Sequence, residues 1–72
     1  MSDVEIDARD LLPPEPMVKV KAALATLPKG DQVRLLLYRE PFPLYEVLRR
    51  EGFVWATTLE PDGTYVITMR HA

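Results

Sequence analysis

The run Gln32–Arg50, QVRLLLYREPFPLYEVLRR, changes its hydrophobic period halfway along. Gln32 to Tyr38 is too apolar and too short for anything but a strand, and the unbroken Leu35-Leu36-Leu37 predicts a central strand covered on at least one face. Glu40-Pro41-Phe42-Pro43 reads as a rigid connector, because proline fixes φ and donates no backbone hydrogen bond. Beyond it Leu44, Val47 and Leu48 recur at helical spacing. Glu46, Arg49 and Arg50 face outward there, and Gly52 stands just past the helix end.

The same step from strand to helix occurs earlier in the chain. Val4 and Ile6 alternate with Asp3, Glu5 and Asp7, the period of a short half-buried strand. Pro13, Pro14 and Pro16 stop that strand and suit the first turn of a helix, where Glu15 complements the positive end of the dipole. Met17, Val20, Leu24 and Leu27 form the apolar stripe with Ala23 beside them, while Lys19 and Ala22 point elsewhere. Pro28-Lys29-Gly30 ends the helix. After the second helix, Phe53–Leu59 and Thr64–Met69 are rich in aromatic and β-branched residues and flank the turn Glu60-Pro61-Asp62-Gly63, which predicts a hairpin. The order is β-α-β-α-β-β. In 72 residues it predicts an α/β (α+β) two-layer sandwich, with both helices on one face of a mixed four-stranded sheet, right-handed crossovers, and the other face partly open. One domain, residues 1–72, is expected, with residues 1–3 disordered.

Composition narrows the chemistry. The chain has no cysteine, which excludes disulfides, thiolate metal ligands, persulfides and cysteine nucleophiles. Its 47% hydrophobic and 28% charged residues are ordinary for a soluble globular domain. No apolar run approaches the roughly 20 residues that span a bilayer. Met1-Ser2-Asp3-Val4 has no basic region before an apolar stretch, so a cytoplasmic location without a membrane partner is expected. A net charge of −2 is too near balance to advertise nucleic acid.

The stretch Ile6–Leu36, IDARDLLPPEPMVKVKAALATLPKGDQVRLL, resembles without a gap the opening of the TusA/SirA-like sulfur-carrier family. That family's pattern is Leu-Asp-x-x-Gly-Leu-x-Cys-Pro-x-Pro, followed by a helix, Gly-Glu and an apolar strand. Asp7, Leu11, Pro14, Pro16, Val20, Gly30 and Asp31 fall on matching positions. Glu40-Pro41 stands where the family has Asp-Asp-Pro, and the hairpin agrees in length. The resemblance implies the same β-α-β-α-β-β sandwich. It also exposes two departures, since the family cysteine falls on Pro13 and the family glycine on Asp10. In the family that cysteine sits at a helix mouth, where free N–H groups and the dipole stabilise its thiolate. Proline has neither sulfur nor N–H, so sulfur-carrier activity does not carry over, and the chain is expected not to be an enzyme. Arg39-Glu40-Pro41-Phe42-Pro43-Leu44-Tyr45 resembles a cysteine-less side branch, a bacterial domain of unknown function with Asp-Pro-x-Pro-Leu-Tyr before the second helix.

The candidate binding surface is the corner where two parallel strands end, formed by Arg9, Asp10, Arg39, Phe42 and Tyr45. Ligands of open α/β sheets sit outside the carboxyl ends of strands. Phe42 and Tyr45 would supply apolar contact, and Arg9 and Arg39 would orient a carboxylate or carbonyl. Pro13, Pro14 and Glu15 at the helix mouth are either a docking corner or simply a helix start, and the acids Asp10 and Glu15 count against anion binding. Asp10, Glu15 and Glu40 read as solvated loop acids rather than an acid–base or cation site. The lone, penultimate His71 reads as a frayed end, and no metal site is expected. Lys19, Lys21, Lys29, Arg49 and Arg50 read as a solvated helix surface, and Trp55 as core. Phe53, Trp55, Thr57 and Leu59 share one sheet face; Val54, Ala56 and Thr58 share the other. The function expected is a cofactor-free binding or regulatory module that docks another protein or a small ligand, as a monomer or weak homodimer. An accessory role in sulfur trafficking or redox metabolism is the alternative. RNA binding through the helical face is a weaker one.

Overall fold

In the computed structural model, which describes residues 3–72, the chain forms β1 (Asp3–Asp7), α1 (Glu15–Ala25), β2 (Gln32–Leu37), α2 (Phe42–Arg50), β3 (Phe53–Leu59) and β4 (Tyr65–His71). The sheet order is β1-β2-β4-β3. β1 and β2 are parallel, while β4 runs antiparallel to both β2 and β3. α2 therefore carries the chain over β4 to the far edge, and the hairpin turn brings β4 back into the gap. β2 is a central strand, as its three consecutive leucines predict.

Register explains the two layers. Val4 pairs with Val33, which pairs with Met69, which pairs with Trp55; one step along lie Ile6, Leu35, Ile67 and Thr57. These residues face the helices, and Val33, Leu35, Ile67 and Met69 are buried in one cluster with Val20 and Leu24 of α1 and Leu44 and Leu48 of α2. Full burial of such a side chain contributes about 1.5–3 kcal/mol. Glu5, Arg34, Thr68 and Ala56 lie across the opposite face. There Arg34 Nε stands 3.8 Å from Glu5 Oε1, and Gln32 Nε2 donates to Asp3 Oδ2 at 3.2 Å. This is the polar alternation of a sheet face left to solvent.

Both helices begin on proline. Pro14 and Pro41 occupy the cap positions without a side-chain cap bond, and Pro16 and Pro43 stand in the first turns. A proline there forfeits only an N–H that has no helical acceptor. The peptide between Pro13 and Pro14 is cis. Gly63, at φ +92, closes the hairpin: its N–H donates to Glu60 O at 3.0 Å, and Glu60 N–H donates to Thr64 O at 2.8 Å. The positive φ is why glycine stands at that position.

Several boundaries differ from expectation. α1 ends at Ala25, so Leu27 is buried beyond the helix rather than on it, with its N–H donating to Leu24 O at 3.3 Å. Pro28 disfavours helical φ and ψ for the residue before it. β2 ends at Leu37 and Tyr38 turns out into solvent. α2 opens at Phe42 rather than Leu44, because the second proline of the connector is compatible with a first turn. β4 starts one residue later and runs on to His71. That histidine is not frayed: Nε2 lies 2.7 Å from the Leu27 carbonyl oxygen, to which it donates, and the ring lies 4.8 Å from Phe53. Asp3, expected to be disordered, opens β1 opposite Gln32; Met1 and Ser2 lie outside the described residues. No helix among the described residues is long and apolar enough to cross a membrane.

Candidate functional site

Where β1 and β2 end side by side, the loops that follow them diverge, one into the start of α1 and the other into the start of α2. Between them lies a cavity of about 490 Å³. Leu35, Leu37 and Val20 form part of its wall, with Leu11, Pro13 and Pro14 of the first loop and Pro16 of α1 on one side and Pro41 of the second loop with Pro43 and Leu44 of α2 on the other. Arg9, Asp10, Arg39 and Glu40 also border it. Five of the seven prolines thus line one apolar hollow, and their fixed φ stiffens it alongside backbone bonds such as Leu11 N–H to Ala8 O at 3.2 Å and Leu44 N–H to Pro41 O at 3.0 Å.

Charges at this corner are unequally committed. The Arg9 guanidinium folds back onto Asp7, with Nε donating to Oδ1 at 2.9 Å and Nη2 to Oδ2 at 2.8 Å. The backbone N–H of Arg9 adds a third bond to Oδ1 at 3.2 Å. Those side-chain bonds first, and the backbone bond second, hold the Asp7 carboxyl down at about 2. Glu40 accepts from the Tyr45 hydroxyl at 2.9 Å. Tyr45 Oη also lies 2.6 Å from Thr57 Oγ1; with its one proton given to Glu40, it accepts from the threonine. Burial, and then the bond to the Glu40 carboxylate, push the Tyr45 phenol above its ordinary range, against the opposing Thr57 bond. Asp10 and Arg39 have no ion-pair or side-chain hydrogen-bond partner among the described residues.

Of the five residues expected to form the corner, the fold brings Arg9, Asp10 and Arg39 to the cavity and takes Phe42 and Tyr45 away from it. Tyr45 lies on the other side of α2, stacked on Trp55 with ring centroids 5.2 Å apart and planes at 10°. Phe42 meets Tyr45 edge-on at 5.9 Å and remains 64% exposed. Trp55 is accordingly half-buried beside α2, on the helix-facing side of the sheet and packed against the core as expected. Among the motif positions, Leu11, Pro13, Pro14 and Pro16 line the cavity, Asp7 anchors Arg9, and Glu15 faces solvent. The three loop acids are not gathered, since Glu15 lies outside the cavity and Glu40 is bound by Tyr45.

Helix-mouth anion chemistry is weak here for a structural reason. Pro14 and Pro16 carry no N–H, and the Glu15 N–H donates to Leu12 O at 3.0 Å. Leu12 itself escapes the periodicity argument: it belongs to neither strand nor helix stripe, yet it borders the cavity at 76% exposure. Its one sequence signal is an apolar residue stranded between a strand end and a pair of prolines. Tyr38, exposed at the cavity rim, is masked in sequence by the leucines it follows.

The fold is shared with a SirA-like protein from Desulfitobacterium hafniense, whose crystal structure superposes with a TM-score of 0.79 at 22% identity, over 96% of this chain and 95% of that one. Pro13, which the resemblance aligns with the sulfur carrier's cysteine, is therefore part of the cavity wall on a SirA-like scaffold without a thiol. No curated protein matches the sequence. Residues 5–71 match the family described as uncharacterized conserved protein DUF2249, and the chain belongs to that family.

Proposed function

We infer that this chain is a non-catalytic cytoplasmic binding module, which takes an apolar group of another protein or of a small ligand into the cavity between the β1–α1 and β2–α2 loops. The cavity itself carries the reading. Its volume of about 490 Å³ falls within the roughly 300–1,000 Å³ of ligand pockets. Its walls are leucine and proline, so burial drives binding and little loop entropy is lost. Asp10 and Arg39 supply uncommitted polar groups at its edge to orient the guest. Arg9 is a lesser contact, because Asp7 already occupies its donors. The aromatic pair Phe42–Tyr45 stabilises α2 on β3 and is not part of the contact. The sulfur-trafficking alternative rests on the scaffold alone.

Anilinonaphthalene sulfonate, an apolar anion, is a suitable probe, followed by amide NMR. Saturable shifts are expected over Leu11–Met17 and Tyr38–Leu44. Leu12→Asp and Arg39→Ala should each weaken binding about tenfold, near 1.4 kcal/mol, while Lys21→Ala and Arg50→Ala leave it unchanged. Shifts centred on the helix surface, with the opposite ranking of variants, would move the site there and restore the RNA reading.

A further inference from the structure

The two edges of the sheet are built differently. β1 carries Asp3, Glu5 and Asp7 at alternate positions, all on the open face, and like charges at an edge repel a second copy. β3, at the other edge, is FVWATTL: seven residues with no charge and no proline. Its pairing with β4 runs from Phe53–His71 to Leu59–Tyr65 without a bulge. Its burial falls away toward solvent, leaving Val54 37% and Leu59 57% exposed. None of the devices that blunt natural edges is present on it.

Hydrogen-bond parity says which groups are free. Ala72 N–H donates to Gly52 O at 3.0 Å, and Glu60 N–H to Thr64 O at 2.8 Å, so positions 52 and 60 are hydrogen-bonded pairs of the β3–β4 ladder. In an antiparallel ladder such pairs alternate. The even-numbered residues of β3 therefore bond to β4, and Phe53, Trp55, Thr57 and Leu59 turn their N–H and C=O groups outward.

We propose that the β3 edge is a self-association site at which two copies of this chain join their sheets about a two-fold axis through Ala56. With that centre, Trp55 pairs with Thr57 and Phe53 with Leu59 of the other copy, and every outward group of both strands finds a partner. The new ladder has eight hydrogen bonds, two from each of four residue pairs. Centres at Trp55 or Thr57 leave some of them unmatched, and the second would set Pro61 against the ladder. On the axis itself, where side chains of a non-hydrogen-bonded pair come closest, stand two alanines. Val54 meets Thr58 beside them, and the other pairs are aromatic or aliphatic with β-branched or aliphatic partners, all favourable across strands. No like charges are opposed. A second copy is the occupant the strand fits, because the sequence about Ala56 is complementary to its own reverse.

Sedimentation equilibrium over a micromolar to millimolar range, paired with amide hydrogen exchange on the unmodified chain, tests the proposal. The expected result is a concentration-dependent rise from 8.2 kDa to twice that mass. The amides of Phe53, Trp55, Thr57 and Leu59 should gain protection over the same range, while those of Val54, Ala56 and Thr58 stay protected throughout. Ala56→Lys sets two cations face to face and should raise the dissociation constant about tenfold; Glu5→Lys, at the other edge, should not. A mass of 8.2 kDa at every concentration overturns the proposal. So does a dimer whose odd-numbered β3 amides exchange freely, since it would use another surface. The exchange result stands even if Ala56→Lys fails to fold.

Discussion

Asp7 and Arg9 stand two positions apart at the end of β1, where the chain turns away from β2, and the turn lets the guanidinium reach back to the carboxylate. Arg9, Asp10 and Asp7 are alike in sequence as loop-end charges; only the bond lengths separate a committed arginine from an uncommitted aspartate. The pair has a pH signature. Asp7 titrates near 2 in the fold against 3.8 unfolded, so its stabilising contribution is complete above about pH 4 and is lost as pH falls through 3.8 toward 2. Asp7→Asn should flatten the dependence of Tm on pH across that window and change little at neutrality, as thermal melts in a pH series would show. An unchanged acid slope would mean that Arg9 leaves Asp7 in solution. The effect will be small, because the pair lies at the surface and salt screens it.

The helices show how far local pattern reaches. Val20 and Leu24 of α1, and Leu44 and Leu48 of α2, are buried as their spacing requires, since an amphipathic stripe on a two-layer domain has only the sheet to cover it. Leu48→Ala and Leu24→Ala should each cost on the order of 2–5 kcal/mol. Leu48, fully buried, should cost more than Leu24 at 5% exposure, and denaturant unfolding will rank them. Melting within a degree or two of the parent for both variants would contradict this packing. Such losses are a large share of the roughly 5–15 kcal/mol that holds a domain folded. At the helix starts, proline in the first turn moved the onset of α2 two residues upstream of its apolar stripe: periodicity locates the buried face, but cap chemistry sets the boundary.

For the whole molecule, the cavity joins loops that are far apart in sequence and contains no thiol. Incubation with a cysteine desulfurase and cysteine should leave the intact mass unchanged; a stable gain of one sulfur atom would overturn the non-catalytic reading. Local sequence was sufficient for the element order, the β3 bounds, the buried faces and the absence of a thiol, because periodicity of 2 or 3.6 residues and turn residues act over a few positions. It could not show that Tyr45 stacks on Trp55 and Phe42 on the edge of Tyr45 while Arg39 and Asp10 border the cavity, since that depends on which side of α2 lies against β3. Nor could it show that His71 reaches the Leu27 carbonyl across 44 positions of chain, or that β4 enters between β2 and β3 and leaves β3 at the edge. These were decided in the folded state, where a side chain's role follows from the neighbour it meets through long-range pairing, and residues close in sequence share no such neighbour.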